Sequence, residues 1–114
     1  MKVTAERLEE MNLLGLFMKA ALEERLEALE RQRPRGEIVV ESGGMSITLS
    51  CQPGRVLITK GVAANADAKL SGELGALAAV ASGRMIDPLL RRRVRVSGNP
   101  VKLLGLARVF REAG

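Results

Sequence analysis

Between Asn65 and Asn99 the spacing of the apolar residues changes twice, and no other stretch restricts the fold as much. In Ala66-Asp67-Ala68-Lys69-Leu70-Ser71 small or apolar residues alternate with polar ones. That period of two belongs to a half-buried strand, whose successive side chains point to opposite faces. Leu74, Leu77, Ala78, Val80 and Ala81 then recur at helical spacing, with Gly83 as the C-terminal stop. Asp87-Pro88 predicts a break, because Pro restricts the residue before it and donates no backbone N–H. Arg93-Val94-Arg95-Val96-Ser97 returns to period two, valines inward and arginines outward. Gly98-Asn99-Pro100 ends that strand and caps a final helix, Pro100 sitting in the first turn where its missing N–H costs nothing. The succession is strand, helix, strand, helix.

Three strands at hairpin spacing come before it. Glu37–Glu41 runs into Ser42-Gly43-Gly44, a turn rich in residues that tolerate positive φ. Met45, Ile47, Leu49 and Cys51 alternate with Ser46, Thr48 and Ser50, the cleanest amphipathic strand in the chain. Gln52-Pro53-Gly54 is a second turn, and Arg55–Lys60 a third strand with Val56 and Ile58 inward. Gly61–Asn65 crosses over to the next strand.

The N-terminal segment, residues 4–33, reads as helical. Thr4 is the expected N-cap, with Glu6, Glu9 and Glu10 near the positive end of the dipole. Leu8, Met11, Leu14 and Met18 form one stripe, extended by Leu22, Leu26 and Leu29. Gly15 is a candidate hinge. Leu13–Met18 is apolar nearly all round, so a second cover is expected from the core, a bound lipid or a partner chain. Pro34 and Gly36 end the segment. At the other end, Pro100–Glu112 is expected to bury Val101, Leu104, Ala107 and Phe110, with Leu103, Leu106 and Val109 widening the face.

Much chemistry is excluded by composition. With no His there is no imidazole base, Ser-His pair or His-based metal site. Cys51 is the only cysteine, so no intrachain disulfide and no multi-cysteine metal cluster can form. On the apolar side of its strand it reads as a buried structural thiol. Gly43-Gly44 lacks the Lys and helix of a phosphate loop, and Asp67 and Asp87 read as strand-face and turn residues. The chain reads as a non-enzyme with no cofactor. At 114 residues it forms one domain, burying roughly two-thirds of its unfolded surface. The composition is 46% hydrophobic but Phe17 and Phe110 are the only aromatics, so the core has aliphatic walls of a kind that suits a greasy cavity. Without an apolar leader at the N-terminus or a run long enough to span a membrane, a soluble, cytoplasmic protein is expected.

The run Ala66-Asp67-Ala68-x-Leu70-x-Gly72, the helix closed by Gly83, Asp87-Pro88 and Val94-x-Val96-x-Gly98-Asn99 together resemble the sterol carrier protein 2 family in order and spacing. The likeness spans about Glu37 to Phe110. It departs where Arg91-Arg92-Arg93 replaces a glycine and Asn99 an aspartate. The resemblance implies an α/β (α+β) fold, a five-stranded mostly antiparallel sheet under helices in the order α-β-β-β-crossover-β-α-β-α. It further implies an apolar tunnel that carries lipid. On that basis Met45, Ile47, Leu49, Leu77, Met85, Ile86 and Leu104 line the cavity, Val101–Phe110 is its lid, and Leu14, Phe17, Met18 and Phe110 complete the wall. Lys60 and Asn65 are candidate headgroup contacts.

The expected function is non-catalytic binding or transfer of a fatty acyl, sterol-like or isoprenoid lipid. Two others stay open. The ending L-x-R-R-R-V-R-V-x-G resembles bacterial accessory factors of ubiquinone biosynthesis, which would bind isoprenoid quinone intermediates. A dimerising interaction module with a filled core is the third. Arg91, Arg92 and Arg93 are candidates for anionic headgroups or a membrane surface. Nucleic acid is disfavoured, since no aromatic is interleaved with the charges for base stacking.

Overall fold

The two hairpins form as their turns dictate. The structure, a computed structural model, describes residues 1–81 and 93–111. Its strands are β1 (Lys2–Ala5), β2 (Gly36–Ser42), β3 (Met45–Gln52), β4 (Arg55–Lys60), β5 (Ala68–Gly72) and β6 (Val94–Gly98). Its helices are α1 (Leu13–Glu23), α2 (Leu26–Gln32), α3 (Leu74–Ala81) and α4 (Pro100–Arg111), with a 3-10 turn at Leu8–Glu10. Gly43 and Gly44, at φ 54° and 82°, close the β2–β3 hairpin with the two positive φ values that match strand twist. Pairing then runs Ser42↔Met45 to Gly36↔Cys51, and β4 returns along β3 from Gln52↔Arg55.

The sheet order is β1-β4-β3-β2-β5-β6. Three of its pairings are antiparallel, while β1–β4 and β2–β5 are parallel. The described helices supply the core on one face. Ile38, Val40, Ile47, Leu49, Ile58 and Leu70 point there and meet Leu14, Met18, Leu22, Leu29, Leu106 and Val109. The residues between β4 and β5 cross the opposite face. Thr48 is buried beneath them, its hydroxyl donating to the carbonyl of Gly61 at 2.9 Å and accepting from the N–H of Ala63 at 3.1 Å.

The start of the chain corrects the helical expectation for residues 4–33 and raises the strand count from five to six. Lys2–Ala5 is a strand parallel to β4, with Val3 buried opposite Val56. The N–H of Lys2 donates to the carbonyl of Gly54 at 3.0 Å, and that of Glu6 to Ile58 at 2.8 Å. Four residues are too few for a visible period, and the pairing partner lies fifty residues away. The helical N-cap is Asn12 rather than Thr4, its side-chain oxygen accepting from the N–H of Gly15 at 2.9 Å. Gly15 is a packing residue, since a methyl there would collide with Met11 Sδ and reach Ile47. The helix also breaks between Glu23 and Leu26, and Arg33 at φ 45° ends α2.

The face of α4 differs from expectation as well. Leu106, Val109 and Phe110 are buried, whereas Val101 is 71% exposed and Leu104 43%. Asn99 caps this helix, its Oδ1 accepting from the N–H of Val101 at 2.9 Å. At Gly105 α4 passes close to Pro34, just beyond α2. Gly83, Met85, Ile86, Asp87-Pro88, Arg91 and Arg92 lie outside the described residues.

Candidate functional site: an apolar groove beside the last helix

The period-two positions of β5 and β6 put Leu70 and Val96 side by side on the helix-bearing face. Above them passes α4, which turns Leu103, Leu106, Ala107 and Phe110 toward the sheet and Leu104 toward the opening. Val80, from the end of α3, and Pro100 close the outline. Together they bound a groove of about 260 Å³ whose described lining is apolar. Each wall has a local cause. The N-cap at Asn99 starts α4 immediately after β6, so the helix must fold back over the strands it has just left.

The inner wall is fixed from behind. The ring of Phe110 carries the guanidinium of Arg25 at 5.4 Å from its centroid, a contact across the α1–α2 break. Among the described residues no charged side chain lines the groove. That lining offers apolar burial and shape, with no described group to hold or move a proton. Among the described residues no three His, Cys, Asp or Glu side chains stand close enough to share a metal ion. Cys51 sits in the core of β3, and burial raises its thiol to a pKa of about 11, so it stays protonated and un-nucleophilic near neutral pH.

Of the residues expected to line a cavity, the groove gathers Leu104 and Phe110. Leu14, Met18, Ile47, Leu49 and Leu77 are buried in the main core, and Phe17 and Met45 pack against it half-buried. Met85 and Ile86 fall outside the described residues, as do Arg91 and Arg92. Arg93 is described, and its guanidinium is paired with Glu73. Lys60 donates to the carbonyl of Glu10 at 3.1 Å, on a part of the sheet remote from the groove. Sequence reasoning missed Leu70, Val80, Val96, Leu103 and Leu106 as lining residues. The inward valine and leucine of the two alternating strands were a usable signal. What was absent was the pairing that sets them side by side beneath α4.

A family model described as the SCP-2 sterol transfer family matches residues 11–111. The chain belongs to that family.

The SCP-2 fold accounts for the open mixed sheet with helices on one face, and solved structures agree. They include the UbiJ-SCP2 ubiquinone synthesis protein, at 16% identity, 90% of this chain, 94% of that one and a TM-score of 0.63. Sterol carrier protein domain 2 of Helicoverpa armigera matches at 14% identity over 89% of this chain and 93% of that one, TM-score 0.64. Palmitated SCP2L2 from Aedes aegypti matches at 16% identity over 88% and 95%, TM-score 0.63. Identities this low establish the fold of the SCP-2 chain. No curated protein matches its sequence. No helix among the described residues is long and apolar enough to cross a membrane.

Proposed function

We propose that this SCP-2 chain binds one hydrophobic lipid in the groove beneath α4 and carries it without chemical change. The observation that carries the reading is the groove lining, about 260 Å³ of space bounded, among the described residues, by apolar side chains alone. Binding there runs on removal of hydrocarbon from water. About ten methylenes at about 0.8 kcal/mol each supply the free energy of a micromolar complex. Polar selectivity is low, since no described side chain in the lining donates or accepts a hydrogen bond. A fatty acyl chain is the simplest occupant, and the likeness to UbiJ-SCP2 makes an isoprenoid chain the second to test.

The test is titration with a fluorescent polyene fatty acid. A saturable rise with one site per chain is expected, and Leu104→Asp, at a half-exposed position, weakens it at least tenfold with the melting temperature held. Equal affinity in the two proteins contradicts this site. Absence of any saturable signal contradicts the carrier reading itself.

A further inference from the structure

The outer face of α4 has a composition unlike that of the other helices. Its exposed residues are Pro100, Val101, Leu104, Arg108 and Arg111. Val101, Leu104, Arg108 and Arg111 follow one another at spacings of three, four and three, so they form a single stripe along the helix. The stripe contains no acidic residue and no neutral polar one. Two large apolar side chains stand in water at its first turns, and two guanidinium groups follow. Neither Arg108 nor Arg111 has a carboxylate partner among the described residues.

The groove opens on this same face. Leu104 belongs both to the stripe and to the groove wall, and Val96, 62% exposed on the edge strand β6, stands at the other lip. Among the described residues the apolar mouth therefore adjoins two arginines, Arg108 and Arg111, that have no carboxylate partner.

From this juxtaposition we infer that the outer face of α4 docks on an anionic lipid surface, with Val101 and Leu104 entering the headgroup boundary and Arg108 and Arg111 meeting lipid phosphates. An interfacial helix needs an apolar edge flanked by basic side chains, which this stripe supplies. A second copy of the chain is a poor occupant, because the same face would supply no carboxylate to Arg108 or Arg111. The exposed leucines of α1, Leu13 and Leu16, are a weaker seat. The one basic residue of that helix, Lys19, is already paired with Glu23 at 2.9 Å and leaves no unpaired cation there for lipid phosphates. Arg93, already paired with Glu73, takes no part in this seat. Docking stands independently of the carrier function, although it would set the mouth of the groove against the source of a lipid.

The experiment is cosedimentation of the full chain with vesicles of phosphatidylcholine alone and of phosphatidylcholine mixed with phosphatidylglycerol. Association with the mixed vesicles only, weakening as salt rises, is expected. Each basic residue at such a surface is worth about fivefold in partitioning, so Arg108→Gln with Arg111→Gln lowers binding about 25-fold. Both side chains are exposed, so the variant keeps its melting temperature and its uptake of fluorescent fatty acid. Val101→Ser also weakens association, and Leu13→Ser with Leu16→Ser leaves it unchanged. No association with either vesicle overturns the inference, as does association that survives the double arginine substitution. In both of those cases fatty acid uptake still reports on the carrier reading separately.

Discussion

The carboxylate of Asp67 accepts a hydrogen bond from the backbone N–H of Glu37 at 2.8 Å, joining two positions 30 residues apart. The backbone N–H of Asp67 donates in return to the carbonyl of Glu37 at 2.8 Å, and the carbonyl of Asp67 accepts from Asn99 at 2.8 Å. One residue thus ties the start of β2, the start of β5 and the cap of α4 together. Through that cap it places the helix that roofs the groove.

Replacing Asp67 with Ala removes the side-chain bond while the two backbone bonds stay. A loss of about 1 kcal/mol is expected, because the site is exposed and water replaces part of the contact. Asp67→Asn keeps an acceptor and loses less. Urea unfolding of the three proteins measures both values.

Gly98 is a stricter constraint. Its φ is +90°, and a Cβ there would lie 2.5 Å from the carbonyl oxygen of Asp67 and 2.7 Å from Ala68 Cα. Backbone atoms cannot swing aside as a side chain does. Gly98→Ala should cost about 3 kcal/mol, whereas Gly43→Ala, in open space at φ +54°, should cost about 1 kcal/mol. Thermal melts of the two variants test the ranking.

Core and groove leucines should separate cleanly. Leu49 is fully buried, so Leu49→Ala costs about 3 kcal/mol through lost transfer energy and a residual cavity. Leu104 is half-exposed, and Leu104→Ala costs no more than about 1 kcal/mol while weakening lipid uptake. A Leu49 variant as stable as the parent would contradict the packing described.

The pH dependence of stability contains a term from Cys51. Burial raises the folded thiol from its ordinary 9.0 to about 11. Between those values the unfolded chain releases a proton that the folded chain keeps, so stability falls as pH rises through the window and the full contribution is present below pH 9. Cys51→Ala should remove a slope worth about 2 kcal/mol across it. The comparison is between urea midpoints of parent and variant at each pH. The parent thiol should also resist aromatic disulfide reagents at pH 8 until urea is added.

Much of the sheet was legible because its information is local. Met45 to Cys51 alternates without a fault, Gly43-Gly44 sets its own turn, and Asn99-Pro100 announces a helix start. The first strand was not legible, since Lys2–Ala5 gains its identity from Arg55–Ile58 across the sheet. The face of α4 was misjudged for a similar reason. Its apolar residues cover most of the helix circumference, and only packing against Pro34 and the strands decides that Leu106 turns in and Val101 out. Cavity lining is harder again. Leu14, Ile47 and Leu49 have the same chemistry as Leu70, Leu104 and Phe110, and the difference is whether a neighbour fills the space beside them.

The most direct test of the central claim is native mass spectrometry of freshly purified protein, followed by organic extraction. A population heavier than the bare chain by one hydrophobic molecule is expected, released on collisional activation and recovered in the extract. A fatty acyl mass or a prenylated one then names the class. A single species at the bare chain mass, from protein that also takes up no fluorescent fatty acid, would contradict the carrier reading.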